Sequence, residues 1–127
     1  MAYTNDSIYH KSEAFGLRII KLCKYISDDK SQFVISKQLL RSGTSIGANV
    51  AEAKHAESSK DFISKLSIAL KESAETAYWL RLLHDNNILT QKQYDSIYND
   101  CESLGKILTS IIKTKKKNMV DKSDHRY

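Results

Sequence analysis

Glu52 and His55 stand three residues apart, the Glu-x-x-His spacing that di-metal carboxylate bundles project inward. Such sites use two of these pairs and two further Glu. Here a single pair occurs, since His84 has Arg81 at that distance instead. Glu52 therefore reads as the partner of a nearby base or helix start and His55 as solvated, with no metal expected. Glu72 and Glu75, one helical turn apart, could divide general acid and base roles if their surroundings differed. No Gly-rich loop or activated Ser accompanies them. Glu72 is expected on the surface, and Glu75 bonded across to another helix. Tyr78 and Trp79 could stack bases, but a pair flanking a helix seam is more often core or subunit interface. No catalytic residue and no cofactor are expected, and the chain does not read as an enzyme.

The basic residues carry the clearest ligand signal. After Ile112 come Lys113, Lys115, Lys116, Lys117, Lys122 and Arg126, against Asp121 and Asp124. That leaves +4 of the net charge of +5 in this segment. A basic terminus is an electrostatic hint of a polyanion such as RNA or DNA, and equally a common solvated end. Residues 113–127 are expected to form a disordered basic tail on a bundle domain spanning residues 1–112. Lys113, Lys115, Lys116 and Lys117 are the leading nucleic-acid candidates, with Lys37, Arg41, Lys54 and Lys60 in the body.

The elements that must position these residues are helices. The chain has 127 residues, no Pro and four Gly, which suits one domain of long helices. The first is expected from Ser7 as cap to about Asp28, with the seam Ile8, Phe15, Ile19, Leu22, Ile26. The second spans about Ser31 to His55. The third spans about Ser59 to Asp85, with the seam Phe62, Leu66, Ala69, Ser73, Thr76, Leu80, Leu83. The fourth spans about Gln91 to Lys115, opened by a Thr90–Gln93 capping box. Together they predict an all-α, up-down-up-down antiparallel four-helix bundle. Cys23 and Cys101 fall on apolar seams and read as core residues in a reducing cytoplasm. No signal peptide or membrane span is apparent.

The second helix holds the stretch around which the chain is organised. Its seam runs Ile35, Leu39, Ser42, Ile46, Asn49, Ala53, and small residues crowd it from Ser42 to Ala53. Gly43 and Gly47 each cost roughly 1 kcal/mol in a helix interior, so a close helix approach is expected there. Asn49 on the seam is expected to be buried and bonded between helices, fixing register or oligomer state. Ser58 and Asp61, just before an apolar run, mark the next helix start.

These residues resemble the four-helix-bundle protein family encoded in 23S rRNA intervening sequences of bacteria, once mislabelled ribosomal. The resemblance is carried by Arg41-Ser42, Ser45-Ile46, Asn49-Val50-Ala51-Glu52, Ser59, Asp61-Phe62, Leu66-Ser67-Ile68-Ala69, Ser73, Glu75 and Ile88-Leu89. Ser42, Ser45, Asn49, Glu52, Ser59, Asp61, Phe62 and Glu75 are its structural signature. Ala53 departs from the family, which usually has Gly there. The resemblance implies a homo-oligomer, with a ring of five in relatives, and non-enzymatic function. Through the accessory protein of diversity-generating retroelements, a basic five-membered barrel, it also implies nucleic-acid binding. The alternative is a purely structural oligomer whose partner is another protein. Salt dependence separates the two.

Overall fold

The computed structural model describes the backbone of residues 5–124 and the side chains of residues 8–120. It contains four helices: α1 (Asn5–Asp28), α2 (Phe33–Ala53), α3 (Ser59–Asp85) and α4 (Gln91–Asp124). No strand occurs among the described residues.

Contacts along the helices set their directions. Ser36 on α2 bonds to the Ser27 hydroxyl and the Cys23 carbonyl on α1, whereas Gly47, further along α2, lies against Ser12. The two helices are therefore antiparallel. On the next pair Thr76 reaches Ser42, while Lys65, earlier in α3, reaches Glu52, later in α2. On the third pair His84 meets Gln91 and Cys101 meets Ser73. Arg18 closes the circuit by bonding Ser96 and Asp100 on α4. Neighbours in sequence are thus neighbours in space, the pattern of an up-down bundle.

Local chemistry explains the helix ends. Ser58 caps α3 by accepting the Asp61 N–H at 3.0 Å. At α4 the Thr90 hydroxyl accepts the Gln93 N–H at 3.1 Å, and the Gln93 side chain accepts the Thr90 N–H at 2.9 Å. This is the reciprocal capping box expected from the sequence. Asn87, at φ 61°, ends α3 in the left-handed region. The Ile88 N–H then returns to the Leu83 carbonyl at 2.9 Å, and the buried Leu89 closes that end of the core.

Four expectations need correction. α2 begins at Phe33, not Ser31, because Ser31 takes φ 54° and cannot continue a right-handed helix. Ser7 lies inside the helical backbone of α1 and so is not its cap. α4 does not stop at Lys115 but runs to Asp124, so the basic segment continues the helix as far as that residue; residues 125–127 lie outside the described part. Asn49 is only half-buried and donates its amide to the Ser45 carbonyl of its own helix at 2.8 Å. Val50 takes the core position beside it, fully buried.

The glycines explain that rotation of α2. A Cβ on Gly43 would lie 2.7 Å from the Ile19 Cγ2, and one on Gly47 would lie 3.2 Å from the Ser12 carbonyl oxygen. α1 presses against the Gly43–Gly47–Val50 side, and this turns Asn49 away from the core.

Candidate functional site

The α2–α3 surface gathers the most elaborate polar cluster. The Arg41 guanidinium donates to Glu72 at 3.0 Å and to Glu75. The Trp79 indole N–H donates to the same Glu75 oxygen at 3.1 Å. Trp79 and Arg41, in that order, hold the Glu75 carboxyl below the usual carboxylate range. Behind the cluster the Ser42 and Thr76 hydroxyls bond across the core, 2.9 Å apart. Glu75 bonds to another helix as the sequence predicts. Glu72 is not simply on the surface: its side chain is 18% exposed, covered by the ion pair with Arg41. With its carboxylates committed to one guanidinium, the cluster is built as a clasp between helices. The same commitment removes Arg41 from the free cations expected to meet a polyanion.

The other signature residues serve local structure. Ser45 returns its hydroxyl to the Arg41 carbonyl at 2.6 Å. Glu52 pairs with Lys65 at 3.4 Å, while His55 is exposed. Ser59 opens α3, Asp61 accepts the Glu57 N–H, and Phe62 packs half-buried on the core. Among the described residues no group of three His, Cys, Asp or Glu is placed to hold a metal, and no helix is long and apolar enough to cross a membrane. Burial pushes the Cys101 thiol up to about 12 and the Cys23 thiol to about 11, which keeps both protonated and unreactive.

The basic candidates do not converge on one surface. Lys37 is exposed on α2, and Lys54 sits past its end with the ammonium 5.3 Å from the Tyr9 ring centroid. Lys60 is exposed in the first turn of α3. Lys115 lies 5.4 Å over the Phe62 ring, which places the basic part of α4 beside that turn. Lys116 and Lys117 are exposed. Lys113 lines a groove between α3 and α4 together with Lys71 and Lys106. Lys71 and Lys106 were not among the lysines expected from the sequence. Their seven-residue spacing from Lys106 to Lys113 was visible, but the α3–α4 pairing that adds Lys71 was not.

A second surface is apolar. Leu17 is 59% exposed and Ile20 50%, one turn apart on α1. They share a groove with Thr44, Ala48 and Ala51 of α2. Leu40, 39% exposed, stands a turn before Thr44 on the same side of that helix. Tyr78, 46% exposed, meets Trp79 edge-on at 5.1 Å on α3.

A sequence model of the 23S rRNA-intervening sequence proteins matches residues 4–110. A crystal structure from Bacteroides thetaiotaomicron, described as a protein with unknown function from the S23 ribosomal protein family, is 51% identical, with a TM-score of 0.85. The match covers 86% of this chain and 97% of that one. No curated protein matches the chain.

Proposed function

Because the chain belongs to the 23S rRNA-intervening sequence protein family, we propose that it acts as a non-enzymatic, self-assembling bundle in the cytoplasm, a homo-oligomer of five copies that binds nucleic acid. The observation that carries self-assembly is the apolar strip on α1 and α2. Scattered apolar side chains are ordinary on a surface, whereas a contiguous patch marks an interface. Leu17 and Ile20 stand half or more out of the protein beside the small Thr44, Ala48 and Ala51, which leave room for a neighbour's side chains. Binding to nucleic acid is supported by the basic run along α4, which the helix carries outward from the bundle.

The test is light scattering on the full chain and on a Leu17→Glu/Ile20→Glu variant. Both side chains are exposed, so the variant keeps its fold. The reading expects the parent to be an oligomer and the variant a monomer with an unchanged circular dichroism spectrum. A variant of the same mass as an oligomeric parent overturns this interface. A monomeric parent overturns self-assembly itself.

A further inference from the structure

The groove between α3 and α4 has a volume of about 680 Å³. Lys106 and Lys113 are two turns apart, so they stand on one side of α4, about 10 Å apart along its axis at 1.5 Å per residue. Lys71 faces them from α3. The register is set by the Cys101 thiol, which donates to the Ser73 carbonyl at 3.2 Å. Gly105 keeps the floor low: a Cβ there would meet the Ser73 Oγ at 3.6 Å and the Leu70 Cδ1 at 3.9 Å. Ser110 adds a hydroxyl between the lysines, while Thr109 donates its own to the Gly105 carbonyl at 2.8 Å.

These three ammonium groups share their lack of a carboxylate partner with exposed lysines such as Lys21 and Lys92, and differ from them in lining one groove together. Arg18, Lys24, Arg41 and Lys65 each pair with a carboxylate. Among the described residues, no carboxylate pairs with Lys71, Lys106 or Lys113. Glu102 lines the same groove one turn before Lys106 and is not paired with it. The positive stripe extends outward, since Lys117 follows Lys113 by one turn and Lys60 lies in the first turn of α3, which the Lys115–Phe62 contact sets alongside. From Lys106 to Lys117 the stripe is about 16 Å long.

The shape of this charge selects its ligand. A small anion is held by converging, buried donors. Here exposed point charges repeat along a line, which suits a chain of repeating negative charges. Hydroxyls beside lysines are common phosphate contacts. No aromatic ring lines the groove, so bases have no platform there and the contact is with the backbone. We infer that the α3–α4 groove binds the phosphodiester backbone of a nucleic acid, without sequence preference, through Lys71, Lys106 and Lys113. This rests on the nucleic-acid reading above and gives it a site.

The experiment is fluorescence anisotropy of the full chain with labelled single-stranded RNA and DNA of mixed sequence, and with polyglutamate of equal length, across a salt series. The groove variant is Lys71→Gln/Lys106→Gln/Lys113→Gln. A control of equal charge loss is Lys11→Gln/Lys21→Gln/Lys92→Gln, all exposed and outside the groove. Losing three phosphate contacts should flatten the salt slope by about 2 units on a single strand and weaken low-salt binding tenfold or more. RNA and DNA should bind within about threefold of each other, because the backbone charge is common to both. If both variants weaken binding equally, the groove is not the site, although nucleic-acid binding stands. Polyglutamate bound as tightly as either strand overturns the phosphodiester assignment. Failure of the full chain to bind either strand at low salt overturns both readings.

Discussion

One oxygen of the Glu75 carboxylate accepts hydrogen bonds from both Trp79 and Arg41, joining α3 to α2 at the surface. The clasp is partly exposed, so screening limits each ion pair to about 0.2–1 kcal/mol. Glu75→Gln should lower stability by about 0.5–1 kcal/mol at neutral pH. The pH dependence follows from the lowered pKa of Glu75. A depressed folded-state pKa stabilises the protein above the ordinary carboxylate value, and that stability is lost as pH falls through the depressed value. The Tm gap between parent and variant should therefore be full at pH 7 and close as the pH drops below the ordinary value of 4.5. A gap that is constant down to strong acid would show that the carboxylate charge contributes nothing. That Glu75 reaches another helix was legible from its position beside the seam residue Thr76. Its partner was not, because Arg41 is distant in sequence and its charge alone fits a polyanion equally well.

At the scale of the helix, α3 was the most legible element. Its apolar positions leave one register open, and Leu66, Ala69, Ser73, Thr76, Leu80 and Leu83 are all buried as the spacing requires. α2 was placed in the wrong register: the seam expected through Asn49 runs instead through Val50, which fits helical spacing as well. The choice falls to the two glycines, whose lack of side chains matters only once α1 is in place. Paired substitutions test this. Gly43→Ala gains about 1 kcal/mol in helix propensity but drives a Cβ into the fully buried Ile19, at an overpacking cost of about 1–3 kcal/mol. Gly105→Ala meets only ordinary contacts and keeps its propensity gain. Calorimetry should show a lowered Tm for the first and a raised Tm for the second; a rise in both would mean that α1 and α2 are not in close contact at Gly43. The far end of α4 was misread because lysines in sequence look like a solvated tail. Lys is nevertheless a good helix former, and residues 113–120 contain no Gly or Pro to stop the helix. Stopping the chain after Ile112 should therefore reduce the helical ellipticity per molecule at 222 nm. An unchanged molar signal would mean that the segment is coil.

For the whole molecule, the bundle buries its own core but leaves Leu17, Ile20 and Leu40 in water on one side and a lysine-lined groove between its other two helices. The apolar strip lies on α1 and α2 and the groove on α3 and α4, so the groove stays open in any ring whose second contact face lies outside it. Copies joined in this way would present several grooves to one strand, and the raised effective concentration would strengthen a weak single contact. Self-assembly is the part of the proposed function that belongs to the whole molecule. Sedimentation of the full chain at micromolar concentration measures that directly. The account predicts one species of about five times the 14.5 kDa chain mass, independent of dilution. A single species at 14.5 kDa would contradict it.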